Sequence, residues 1–121
     1  AGDALAVDHD LAALGFQRMV LRVAAEISET DELRVLFAFR HFDQLVRFPE
    51  RRKWRQRYAL RCAALPGDLV FYPEDSHVGI VGGRDESGNL LIIHCASGYN
   101  NVVITGIEGF TSIGRPVYFS D

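Results

Sequence analysis

The chain has 121 residues, 48% of them apolar, and a formal net charge of -3. That length suits one domain with a core of its own, and the charge gives no reason to expect a nucleic-acid partner. No apolar run approaches the roughly 20 residues of a membrane span, and Ala1-Gly2-Asp3 opens without the basic segment and apolar core of a signal peptide.

In chain order, Phe16, Val20, Val23 and Ile27 recur at the spacing of one helix face. Thr30-Asp31-Glu32-Leu33 predicts the start of a second helix, for which Leu33, Leu36, Phe37, Phe39, Leu45 and Val46 supply apolar surface. Pro49 should end or interrupt it. Seven of the 13 Lys and Arg residues then fall between Arg47 and Arg61, with Trp54 and Tyr58 among them. Such a stretch (47–61) suits phosphate contacts and stacking, or an anionic wall polymer, but reads best as a solvated face. The arginine-rich composition of this half also matches an out-of-frame reading of a GC-rich gene. Stop codons in the alternative frame between residues 20 and 60 would exclude that origin.

From Leu65 the pattern changes to short strands: Asp68 to Tyr72, His77 to Val81, Leu90 to His94, Val102 to Thr105 and Pro116 to Phe119. Pro73-Glu74-Asp75, the run from Asp85 to Asn89 and the run from Ser97 to Asn101 mark turns. A helical half (1–64) before an antiparallel half (65–121) gives a single α+β domain, helices packed on a sheet of about five strands. Gly79, Gly82 and Gly83 on the second strand signal close backbone approach or a bulge. There are no internal repeats.

Two histidines, His77 and His94, stand at strand termini, where the sheet can hold an imidazole against a cleft. Their unperturbed pKa suits proton transfer near neutral pH, and their placement predicts that they share a sheet face closely enough to interact. His9 and His41 lie in segments without a pattern and read as surface residues.

The order Pro66-Gly67-Asp68-Leu69-Val70-Phe71, His77-Val78-Gly79-Ile80 and Ile93-His94 resembles the NlpC-type cell-wall cysteine peptidases, a papain-like family that cleaves peptidoglycan stem peptides. The resemblance runs from about Leu65 to Phe119. It implies a papain-like fold, His77 as catalytic base, His94 as the catalytic residue that orients it, and peptidoglycan stem peptides as substrate. It also implies a wall-associated or extracellular location, and no cofactor. The family's nucleophilic cysteine opens the first core helix, where this sequence has Arg18. Guanidinium stays protonated and cannot attack a carbonyl. If Arg18 points toward His77, it also sets a cation against the base and the chain is inactive.

The two cysteines each have a plain reading beside the chemical one. Cys95 follows His94 directly, so alternation turns it to the opposite face, where it reads as a core thiol. Cys62, beside Arg61, is a candidate replacement nucleophile away from the family's position. Adjacent His94-Cys95 with isolated Cys62 and His77 does not have zinc-ligand spacing, so no metal is expected. Two function classes stay open: a peptidoglycan endopeptidase, and a pseudoenzyme that binds wall peptides or a protein partner.

Overall fold

The computed structural model describes residues 15–47, 54–58, 63–96 and 101–117. Helix α1 (15–24) and helix α2 (Glu32–Arg47) form a hairpin that precedes a sheet of six strands among the described residues. The strands are β1 (Trp54–Tyr58), β2 (Leu69–Phe71), β3 (Val78–Arg84), β4 (Leu90–Ala96), β5 (Asn101–Thr105) and β6 (Ser112–Pro116). Their order across the sheet is β1-β6-β2-β3-β4-β5, with every pairing antiparallel. The α+β class holds.

Thr30 Oγ1 donates to the carbonyls of Ala24 and Ile27, closing the end of α1. The Asp31 carboxylate accepts from the Arg34 N–H and caps α2, so the predicted start is where the helix begins. The face that α2 buries differs from the expected one. Val35 and Ala38 are fully buried, whereas Leu33 and Phe37 are exposed. The sheet sits against the smaller side chains because its glycines let the helices approach closely. Leu45, Val46 and Pro49 lie outside the described side chains.

Two strand predictions are corrected. Residues 54–58, placed in the helical half, form β1, because the otherwise open edge of β6 offers them a ladder. Among the described residues the last strand is Ser112–Pro116, ending where the predicted Pro116 to Phe119 strand was to begin, because β6 pairs with β2 through Ser112, Ile113 and Gly114; Tyr118 and Phe119 lie outside the described residues.

Alternation divides the sheet into two faces. Leu69, Phe71, Ile80, Ile93 and Val102 pack with Val20, Ala24, Ile27, Val35 and Ala38 of the helix hairpin. Val70, Val81, Ile92 and Ile113 point the other way, where Ile107 and Phe110 of the β5–β6 connection and Ala64 cover them. Leu69, Val70 and Phe71 are all fully buried, so β2 is covered on both faces. Each such side chain contributes about 1.5–3 kcal/mol by leaving water.

The glycines allow this close packing. A Cβ at Gly83 (φ +148°) would lie 2.8 Å from the Glu29 carbonyl oxygen, in the connection between the helices. One at Gly67 (φ +91°) would lie 2.7 Å from the carbonyl oxygen of Arg34 in α2. At Gly82 the obstacle is Ile27 Cδ1, and at Gly79 it is Ile92 Cγ2. The register also shifts between Val81 and Gly83, the bulge that the glycine run signalled.

The Pro66-Gly67-Asp68 turn is held by a buried ion pair. Asp68, with no exposed surface, accepts from Arg115 Nε at 3.0 Å and from a terminal guanidinium nitrogen at 2.9 Å, and its carboxylate also takes the Leu65 N–H. A two-pronged guanidinium contact of this kind satisfies the carboxylate that burial would otherwise penalise.

Candidate active site

His77 enters β3 directly after a tight turn, and His94 stands near the end of β4. In that turn (Pro73–Asp75) Glu74 and Asp75 both take left-handed backbone conformations, φ 60° and 55°. The Tyr72 N–H donates to the His77 carbonyl, extending the β2–β3 ladder by one pair. Following the register, Val70, Tyr72, His77, Gly79, Val81, Ile92, His94 and Thr105 share the face turned away from the helices.

The two imidazoles meet there. His77 Nε2 and His94 Nδ1 are 2.8 Å apart, and the ring centroids are 5.0 Å apart, nearly edge to face. The prediction that they interact on one face therefore holds. Tyr72 and Phe110 enclose the pair, with ring centroids 5.2 Å and 5.5 Å from His77 and His94 respectively.

Thr105 gives the pair a direction. Its hydroxyl lies 2.9 Å from His94 Nε2 and donates to the Gly106 carbonyl at 3.1 Å. A carbonyl only accepts, so the hydroxyl that serves both contacts accepts from His94 Nε2–H. His94 Nδ1 then carries the lone pair and accepts from His77 Nε2–H. In the neutral pair the remaining basic nitrogen is His77 Nδ1, which makes no hydrogen bond among the described residues. Burial, then the proximity of His77, lowers the His94 pKa from its ordinary 6.5, which favours the neutral ring that this chain requires.

Thr105, Tyr72 and Phe110 were not singled out by sequence reasoning. Thr105 carried a signal: it lies two residues beyond Val103, the partner of His94, and so on the same face, and a hydroxyl at a strand end is a ready partner for a strand-end imidazole.

Several expectations are corrected. Arg18 does not point toward His77: it is exposed, while Phe16 and Val20 of α1 line the cavity beside the site. Helix α1 packs on the sheet face opposite the imidazoles, so a side chain two positions after Phe16 turns to solvent. Cys95 is not a core thiol. It alternates away from His94 as expected but is exposed, because it stands at the mouth of that cavity, where the helices leave the face open. It makes no hydrogen bond to either imidazole among the described residues. His41 is half-buried against Phe37, ring centroids 5.3 Å apart, and not a free surface residue. Cys62 and His9 lie outside the described residues, as do the side chains of the basic stretch from Phe48 to Arg61.

Among the described residues no three His, Cys, Asp or Glu side chains converge as a metal site would need, and no helix is long and apolar enough to cross a membrane. No protein-family model matches the chain, nor does any curated protein or solved structure.

Proposed function

We propose that the chain is a peptidoglycan hydrolase domain of the cysteine endopeptidase type, similar to the NlpC class and papain-like in fold, with His77 as base and His94 orienting it. The observation that carries this reading is the directed chain from Gly106 through Thr105 and His94 to His77, which leaves the Nδ1 lone pair of His77 open. An imidazole held this way takes the proton of a thiol, the thiolate attacks the amide carbonyl of a stem peptide, and the imidazolium returns the proton to the leaving amine. Peptidoglycan stem peptides are the partner, and the cell wall or its exterior the location. Because Arg18 is exposed, it sets no permanent charge against the base.

A second reading is a pseudoenzyme that keeps the imidazole pair and binds wall peptides, or a protein, without cleaving. The observation that favours it is that, among the described residues, no thiol is hydrogen-bonded to His77, with arginine where the family has its cysteine. Incubating the full chain with purified muropeptides and resolving the products by mass spectrometry separates the two. Thiol-dependent cleavage, abolished by alkylation and reduced at least about a hundredfold in His77→Ala, is the expected result. Loss of that activity in Cys62→Ala would identify Cys62 as the nucleophile. Muropeptide binding without cleavage selects the pseudoenzyme, and neither binding nor cleavage ends both readings.

A further inference from the structure

Beside the imidazole pair, between α1, α2 and the ends of β3 and β4, lies a cavity of about 120 Å3. Phe16, Val20, Phe39, Ile80, Ile93 and Val102 line it, and His77 and His94 stand at its rim. Phe16 and Phe39 stack at 5.4 Å and form its helical wall. No Asp, Glu, Lys or Arg lines it among the described residues. An enclosed apolar cavity of about 150 Å3 takes up benzene; this one is slightly smaller but open at its mouth, which matches a single ring or branched aliphatic group entering from that side and not a long chain. A carboxylate placed deep in it would meet no Lys or Arg among the described residues and would lose its hydration against apolar side chains.

We infer that this cavity is a side-chain-sized apolar subsite of the histidine site, taking one aromatic or branched-aliphatic group of an amide ligand whose polar end lies at the imidazole rim. The inference rests on the reading of His77 as the residue that meets the scissile amide. It narrows the ligand to one with a bulky uncharged group next to that amide, leaving the carboxylates of a stem peptide outside the cavity. The polar contact and the apolar one come from opposite faces of the same two strands, and they meet only at the strand ends.

The full chain, labelled at methyl carbons and imidazole nitrogens, tests this by NMR titration with benzamide and with 4-carboxybenzamide. Benzamide should saturably shift the methyls of Val20, Ile80 and Val102 together with the His77 ring nitrogens, and the charged analogue should bind at least about tenfold more weakly. Val20→Trp, which fills the cavity, should abolish the shifts. Val20→Leu, a milder change, should weaken them while the Ile107 and Ile113 methyls keep their positions and report an intact opposite face. Benzamide producing no saturable shift, equal binding of the two probes, or methyl shifts without a response at His77 would each overturn the inference. Benzamide binding as expected in a chain that neither binds nor cleaves muropeptides would remove the wall-hydrolase reading and leave the subsite. Muropeptide cleavage without benzamide binding would do the reverse.

Discussion

The two faces of the sheet are built from the same strands, yet they hold different chemistry. The helix face is a largely apolar contact whose closeness two glycines permit: Gly67 and Gly83 let helix-hairpin backbone approach directly, and beside Gly67 the Arg34 Nε–H donates to the Pro66 carbonyl. The opposite face carries two polar networks, Asp68 with Arg115 at the start of β2 and the Thr105–His94–His77 chain at the far end of β4. Asp68, Val70 and Tyr72 alternate onto this face together, so one short strand anchors the ion pair and helps enclose the imidazoles. The difference teaches that the site belongs to the sheet. The helices shape the cavity beside it and contribute no group to the imidazole chain.

Breaking the polar face at its anchor should have the largest effect. Asp68→Ala leaves Arg115 and the Leu65 N–H without their carboxylate, and urea denaturation should show a loss of about 3–5 kcal/mol. If the loss is under about 1 kcal/mol, the pair acts as a surface bridge would, and the two faces differ less than the geometry implies.

On the helix face, Gly83→Ala puts a Cβ against the Glu29 carbonyl at a backbone angle that side chains rarely adopt. The expected cost is about 1–3 kcal/mol, with the His77 and His94 nitrogen resonances unmoved. Movement of those resonances would show that the faces are coupled through β3.

Thr105→Val should cost only about 1 kcal/mol, but it removes the group that sets the direction of the imidazole chain. In nitrogen-detected NMR, the fixed Nε2–H tautomer of His94 should give way to a mixture. A tautomer that does not change would mean that the pair orients itself without the hydroxyl.

The smallest effect expected is on pH dependence. Because His94 titrates below 6.5 in the folded chain, the unfolded chain binds its proton first as pH falls. Above 6.5 the ring is neutral in both states and its contribution to stability is complete. It is lost as pH drops through the folded value. Urea midpoints should therefore decline on acidification below 6.5, and less steeply in His94→Gln. An identical slope in the variant would assign the decline to other groups.

Much of this was legible because it is local. Apolar spacing at Val20 and Ile27 marked α1, and Asp31 marked the cap of α2. The short apolar runs Leu69-Val70-Phe71 and Leu90-Leu91-Ile92-Ile93 marked strands, but the two strand-end histidines come to one face through the register shift between Val81 and Gly83, which no local pattern counts out. Strand β1 was obscured because arginines crowd it, although Trp-Arg-Gln-Arg-Tyr does alternate. Its partner lies more than 50 residues away, and no local pattern reports a pairing of that range.

By itself, then, the sequence determined the α+β order and the turns at Pro73–Asp75 and Asp85–Asn89, while residues 97–100 of the third predicted turn lie outside the described residues. It also determined that two imidazoles stand at strand ends, because these follow from side-chain periodicity and turn chemistry within a few residues. Only the tertiary structure decided which face the helices cover, and with it that Phe16 and Val20, and not Arg18, line the cavity. It also brought Thr105 and Phe110 to the pair and placed the basic nitrogen on His77 Nδ1. Those outcomes depend on long-range register and on backbone approach at two glycines, which no short stretch of chain specifies.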